Sequence, residues 1–325
     1  MPRLVVLRAL GLGDLLTAAP ALRALAAAFP DHHRVLAAPA ALRGLVELIG
    51  GVDEVVDLDL RGGVLPVACL DAPTAAALQR ADVAVNLHGP GPDSTRLLLH
   101  GRPRRLIAFA HPEVPETGGA ARWHDGEHEV ARWCRLLQAD GIAADPTALD
   151  VAVPARLQPG GLADATLLHP GATSPARRWP VERWAAVARR EAAAGRRVVV
   201  TAGPGEHALA TMVTAAAGLP PDTVRRPPDV VALAGLVAAV GRVVCGDTGV
   251  AHLATAVGTR SVVLFGPASP RRWGPPPGRP RHRALWRGDG AGGPHADGDD
   301  DALLRIGVDD VVAALADAGA PLPRV

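Results

Sequence analysis

Apolar positions along the chain fall into two alternating patterns. Leu4-Val5-Val6-Leu7 is a continuous apolar run, as expected of a parallel strand buried on both faces. After a Gly-containing loop, Leu15, Leu16, Ala19, Leu22, Leu25, Ala26 and Phe29 recur at helical spacing until Pro30 closes the segment. Val35-Leu36-Ala37 predicts a second strand, 40–49 a helix, and Val55-Val56-Asp57-Leu58 a third strand. Val83-Ala84-Val85 and Leu106-Ile107-Ala108 predict two more, and 127–140 an amphipathic helix closed by Gly141. This alternation is the grammar of a doubly wound parallel sheet.

Residues 142–163, with Pro146, Pro154, Pro159 and Gly160-Gly161 and little periodicity, read as an interdomain linker. A second cycle follows. Strands are expected at Thr166-Leu167-Leu168, Val198-Val199-Val200, Val243-Val244-Cys245 and 261–265. Helices are expected from about Pro180 to Gly195, over 206–217, over 230–240 behind the N-cap Asp229, and over 250–257. Residues 270–300 are rich in Pro, Gly, Arg and Asp and read as a surface excursion, with a last helix over 309–318. Two α/β halves of similar size predict a cleft, the preferred place for a ligand.

Composition narrows the function. A chain of 325 residues suggests two domains at ~150 residues each, and 48% hydrophobic residues supply their cores. With 34 basic and 33 acidic residues the net charge is +1, so no strong field draws the protein to nucleic acid or an anionic membrane. Every basic residue is Arg, with no Lys and no Tyr. Together with the abundance of Ala this is the bias of a GC-rich genome, and it lowers the weight of any single Arg. Cys69, Cys134 and Cys245 are too widely spaced for a disulfide framework or a zinc site. The first apolar stretch is broken by Arg8 and Asp14, and no uncharged apolar run reaches ~18 residues, so a cytoplasmic protein is expected.

Four loops could carry chemistry. In Leu10-Gly11-Leu12-Gly13-Asp14, Gly11 and Gly13 let the backbone approach a ligand beyond the end of a strand. Leu16 breaks the dinucleotide fingerprint, and Asp14 reads either as a helix N-cap or as a functional carboxylate. The turn Gly246-Asp247-Thr248-Gly249 opens a helix whose N-terminus suits an anion. Thr248 adds a hydroxyl donor, Asp247 can accept from sugar hydroxyls, and His252 lies one helical turn on. A capped turn with a buried His is the competing reading. The third loop runs from His169 through Thr173, Ser174, Arg177 and Arg178 to Pro180, where Arg suits a diphosphate. The fourth is the turn Gly203-Pro204-Gly205-Glu206, where Glu206 could take a ribose diol.

Taken in order, these segments resemble glycosyltransferase family 9, the ADP-heptose:lipopolysaccharide heptosyltransferase-like family of GT-B fold. The matching stretches are 7–14 with Pro20-Ala21-Leu22, 169–180, 247–253, Leu264-Phe265-Gly266-Pro267 with Trp273-Gly274-Pro275, and Val308-Asp309-Asp310-Val311. The resemblance implies two Rossmann-like doubly wound parallel-sheet domains facing across a cleft. These would be an acceptor-side domain over 1–155, a nucleotide-sugar domain over 162–306, and a helix over 307–325 packing back towards the first. It implies an inverting transfer of heptose from ADP-heptose to a glycan or small-molecule acceptor, with Asp14 as general base. Arg177, standing where the family commonly has Lys, and the helix start at Thr248–Gly249 would stabilise the diphosphate without a metal or other cofactor. Gly13, His169, Thr173, Ser174, Glu206, Asp247, Thr248, Gly249 and His252 would line the donor site. Residues 287–301, ending in three aspartates, depart from the cysteine-containing segment of many relatives. Nucleic acid is not an expected partner, and peripheral membrane contact would rest on Arg102, Arg104 and Arg105. A nucleotide-sugar epimerase of the same architecture and a non-catalytic nucleotide-sugar-binding protein remain alternatives. Acceptor-dependent product formation separates both from a transferase.

Overall fold

A computed structural model describes residues 1–79, 81–288 and 301–317, and divides the chain into two compact units, Met1–Leu149 and Asp150–Val325. The first unit runs β1 (Arg3–Leu7), α1 (Leu12–Ala28), β2 (His33–Ala38), α2 (Arg43–Ile49), β3 (Glu54–Asp57), α3 (Ala72–Leu78), β4 (Val83–Asn86), α4 (Asp93–Leu99), β5 (Arg105–Ile107) and α5 (Glu129–Ala139). Its five strands lie in the order β3-β2-β1-β4-β5, every pair parallel. The central strand is β1, with Val5 opposite Val35 on one side and Ala84 on the other. That position explains why Leu4 to Leu7 are apolar without alternation, since both faces are buried. The short helices α3 and α4 do not show in the hydrophobic pattern, because α3 has Leu78 as its single large apolar residue and α4 has its three leucines in a row rather than at helical spacing.

The second unit runs β6 (Thr166–His169), α6 (Val181–Ala193), β7 (Val198–Thr201), α7 (His207–Ala216), β8 (Val224–Arg225), α8 (Val230–Ala239), β9 (Arg242–Gly246), α9 (Gly249–Val257), β10 (Arg260–Phe265), α10 (Pro270–Trp273), β11 (His282–Trp286), α11 (Asp301–Leu304) and α12 (Val308–Asp317). The sheet is again wholly parallel, in the order β11-β10-β9-β6-β7-β8. Part of the expected surface excursion is therefore strand. β11 pairs with β10 from Ser261–His282 to Phe265–Trp286. Its arginine at position 283 and its half-exposed edge hide it from an apolar-run search. Residues 289–300 and Ala318, which the sequence reading assigned to the excursion and the last helix, lie outside the described residues.

Two further features concern the ends of the second unit. The division falls inside 142–163, and residues just after it are fixed to the second unit. The Val151 amide donates to the Ala256 carbonyl at 2.8 Å, and the Leu157 carbonyl occupies the space where a Cβ on Gly235 would stand. The closing helix, which the family resemblance sends back towards the first half, buries Val311 and Leu315 in the second unit's core with Trp179, Trp184 and Ile306. The Trp179 indole donates to the Ile306 carbonyl at 3.1 Å, which ties the entry of α12 to the start of α6.

Each sheet reverses its winding once. In the first unit the reversal lies between β1 and β4, and in the second between β6 and β9. Crevices beyond the carboxyl ends of such strand pairs are where open α/β sheets hold ligands.

Candidate active site

In the first unit the β1–α1 loop leaves the sheet at its reversal. Gly11 caps α1 in an extended conformation, and Asp14 is the third helical residue rather than the cap. Its Oδ2 reaches back to accept from the Gly11 amide at 3.2 Å, half of a capping box. Its Oδ1 accepts from Arg8 Nη2 at 3.3 Å, and the side chain keeps 28% of its surface exposed. Gly13 is the second helical residue beside it.

Arg8 is 1% exposed and fully engaged. Its Nε donates to the Asp14 carbonyl at 2.9 Å and Nη1 to the Leu87 carbonyl at the end of β4. Besides Asp14, Nη2 meets Thr17 Oγ1 at 3.3 Å and Glu129 Oε1 at 3.2 Å. Glu129 is itself buried, accepting from Arg132 Nη1 and, at 3.0 Å, from the Trp133 indole. Arg132 in turn donates to the His124 and Glu127 carbonyls and lies 3.9 Å over the Trp123 ring. Two guanidiniums and two carboxylates thus alternate, so no buried charge stands without an opposite neighbour. The peptide after Leu87 carries His88, whose Nδ1 is buried without a hydrogen-bond partner among the described residues. Burial, then the Arg8 charge, push the His88 pKa down to about 4.

In the second unit β6 ends at His169 directly opposite Cys245 of β9, so the two following loops leave the sheet side by side. His169 is buried, with Nδ1 3.0 Å from Thr201 Oγ1 and Nε2 3.9 Å from Glu206 Oε2. Burial lowers its pKa against the opposing pull of Glu206. Glu206 Oε2 also accepts from the Gly203 amide at 2.9 Å. The carboxylate fills the space a Cβ on Gly171 would need, within 2.0 Å of it, so Gly171 is glycine to make room for Glu206. Beyond them, Arg177 Nη1 lies 3.5 Å from Asp247 Oδ2 and 3.4 Å from its carbonyl oxygen. Ser174 caps the short turn that carries Arg177, while Thr173 is exposed.

Thr248 caps α9 in extended conformation, and Gly249 is the helix's first residue. The Thr248 hydroxyl, apart from its approach to the Cys245 thiol, is buried without a hydrogen-bond partner among the described residues. His252 is half-buried, its ring edge-on to Trp273 at 5.9 Å, so the competing reading of a buried core His does not describe it. Neither buried thiol suits nucleophilic work. Burial pushes Cys134 up to about 12, and burial with Asp247 raises Cys245.

The sequence-derived residues thus form His169–Glu206 and Arg177–Asp247–Thr248 groups in the second unit, with Asp14 in the first. Sequence reasoning missed Arg8, Glu129, Arg132 and His88. The available signals were a charge ending a fully apolar strand, and Glu129, Arg132 and Trp133 at spacings that share a helix face. In a chain so rich in Arg, neither stands out. Among the described residues, no three His, Cys, Asp or Glu cluster to hold a metal ion, and no helix is long and apolar enough to cross a membrane.

Comparison with known proteins agrees with this layout. The sequence model of glycosyltransferase family 9 (heptosyltransferase) matches residues 120–291. No curated protein matches the chain. Among solved structures, the chain is similar to a family 9 glycosyl transferase from Veillonella parvula, with TM-score 0.80, 22% identity, and 98% and 97% of the two chains covered. It is also similar to E. coli ADP-heptose lps heptosyltransferase II, with TM-score 0.76, 20% identity and coverage of 97% and 98%. E. coli heptosyltransferase WaaC with ADP-2-deoxy-2-fluoro heptose gives TM-score 0.71, 20% identity and coverage of 97% and 99%. These structures share the GT-B arrangement of two parallel-sheet α/β domains.

Two histidines, His282 buried and His88 half-buried, give the fold a defined pH dependence. Burial, aided by Arg8 for His88 and by Arg279 and Arg281 for His282, holds both near pKa 4 in the folded chain, against ~6.5 when unfolded. Between those values the unfolded chain binds more protons. The stability contributed is therefore full above ~6.5 and declines as pH falls towards about 4. Urea midpoints should drop from pH 7 to pH 4.5, and His88→Gln or His282→Gln should flatten part of that slope. Equal midpoints at both pH values would contradict the assignment.

Proposed function

The chain belongs to glycosyltransferase family 9, and from that membership we propose that it moves a heptose from ADP-heptose to an acceptor hydroxyl with inversion at the anomeric carbon. The observation that carries this reading is the Thr248 hydroxyl, buried at the N-terminus of α9 beside the Arg177–Asp247 pair and, apart from its approach to the Cys245 thiol, without a hydrogen-bond partner among the described residues. A helix start, a spare hydroxyl and a guanidinium are the groups a diphosphate needs. The match to a heptosyltransferase structure with ADP-2-deoxy-2-fluoro heptose supports ADP-heptose as the donor.

Asp14 then takes the proton of the acceptor hydroxyl as its oxygen attacks the anomeric carbon. The bond from that carbon to the diphosphate breaks, and its electron pair leaves on ADP. Arg177 and the amides opening α9 meet the growing negative charge, so the transfer runs without a metal ion. Asp247 and His252 bound the donor sugar, Glu206 accepts from the ribose, and His169, Thr173, Ser174, Gly13 and Gly249 complete the walls. The acceptor is a glycan or small molecule, and where it is lipid-linked the cluster of Arg102, Arg104 and Arg105, the last two paired with Asp82 and Asp140, is the surface that meets the membrane. The reaction takes place in the cytoplasm.

Binding tests the donor directly. A thermal-shift and calorimetric panel of ADP-, GDP-, UDP- and dTDP-sugars should single out ADP-heptose, which at 100 times its Kd stabilises by about 2.7 kcal/mol. Preference for a UDP- or dTDP-sugar would remove the heptose assignment while leaving a transferase. Arg177→Ala should weaken ADP-heptose binding, and Arg177→Lys should recover part of the loss because charge outweighs fork geometry. A silent Arg177→Ala beside a damaging Arg178→Ala would move the contact by one residue.

Turnover tests the base. Asp14→Asn keeps the Gly11 contact and nearly the same shape, so it should fold and bind ADP-heptose normally while transfer falls by ~10²-fold or more. Near-normal transfer would return Asp14 to a helix-capping role.

A further inference from the structure

We propose that Arg8 is the positioning residue for Asp14, an inference that rests on Asp14 being the base. Asp14 is held by two donors, one on each carboxylate oxygen. The Gly11 amide serves Oδ2 and Arg8 Nη2 serves Oδ1. The terminal torsion of an Asp side chain is broad, so a single hydrogen bond leaves the carboxylate plane free to turn. The second donor fixes it, and only as well as that donor is itself fixed.

Arg8 meets that requirement. Its Nε, Nη1 and Nη2 each have acceptors, in the first turn of α1, at the end of β4 and on α5. Its carboxylate anchor on the far side, Glu129, is locked by Arg132 and the Trp133 indole. The Arg8 guanidinium also lies 4.7 Å from the Trp133 ring centre, which limits its own movement. One planar group thereby spans both loops at the sheet reversal, joining the Asp14 turn to the peptide before His88. Lysine cannot reproduce this, because three donors on one nitrogen do not span acceptors on three elements. A misplacement of ~1 Å at a reacting group is enough to cost ~10²-fold in rate.

The test compares Arg8→Ala, Arg8→Lys and Asp14→Asn in the full chain. ADP release from ADP-heptose is followed with lipopolysaccharide-core oligosaccharides as the acceptor probe. Arg8→Ala should lower kcat by ~10²-fold and leave the KM for ADP-heptose within about twofold. Guanidinium ion, well below denaturing concentration, should restore much of the rate to Arg8→Ala. Arg8→Lys keeps the buried positive charge and is the variant to read if the alanine chain does not fold; its kcat should remain at least ~10-fold low. Full kcat in either folded variant overturns the inference, as does a loss that guanidinium leaves untouched or that comes with a raised donor KM. If Asp14→Asn transfers at the normal rate, the base reading itself fails. If Asp14→Asn is inactive while the Arg8 variants are not, only the positioning role falls. Should the oligosaccharides support no turnover in the unaltered chain, crystal structures of Arg8→Lys decide. An Asp14 carboxylate turned away from the Gly11 amide supports the role, and an unmoved one overturns it.

Discussion

A strand that follows another in parallel must be reached by a crossover, and right-handed crossovers place the intervening helix on a face fixed by the direction of travel. Where strand order reverses, helices on either side of the reversal go to opposite faces and the loops above the sheet part. Both units obey this rule at one place each, between β1 and β4 and between β6 and β9. The placement of the candidate residues follows from it. Asp14, Arg8 and His88 stand in or beside the two loops at the first reversal, and His169, Arg177, Asp247 and Thr248 in or beside the two loops at the second.

The first reversal carries a buried charge system, which an apolar core tolerates only under strict pairing. Removing one partner of a buried pair typically costs about 3–5 kcal/mol. Arg8, Glu129 and Arg132 are each under 5% exposed, and each finds its opposite charge and further acceptors or donors within the unit. The arrangement converts an energetic obligation into geometry, because a guanidinium with acceptors at all three of its nitrogens has one orientation available. At the second reversal the same economy takes a different form. The Glu206 carboxylate is drawn against the Gly171 and Gly203 backbone, so glycine there is a requirement of volume rather than of φ.

Much of this was legible from residues alone. Continuous apolar runs gave the central strands because a parallel strand buried on both faces has no polar alternation to offer. The ordered loops 7–14, 169–180 and 247–253 indicated the family, which the match over 120–291 bears out. Strand β11 and helices α3 and α4 did not show, since an edge strand needs few apolar residues and neither helix repeats large apolar residues at helical spacing. Of the two readings open for Asp14, the N-cap does not hold, because Gly11 takes the extended cap position and the carboxylate, three residues on, reaches back to its amide.

The sequence by itself determined the doubly wound pattern, the loops that follow the central strands and the family, because these depend on periodicity and on order along the chain. Only the tertiary structure decided which charges meet. Arg8 and Glu129 are 121 residues apart, and no local pattern marks them as partners. In a chain whose every basic residue is Arg, composition cannot separate the one at the end of β1 from those on the surface. Burial separates them, since a guanidinium without water must find its acceptors in the fold, and the fold brings α5 to α1 to supply them.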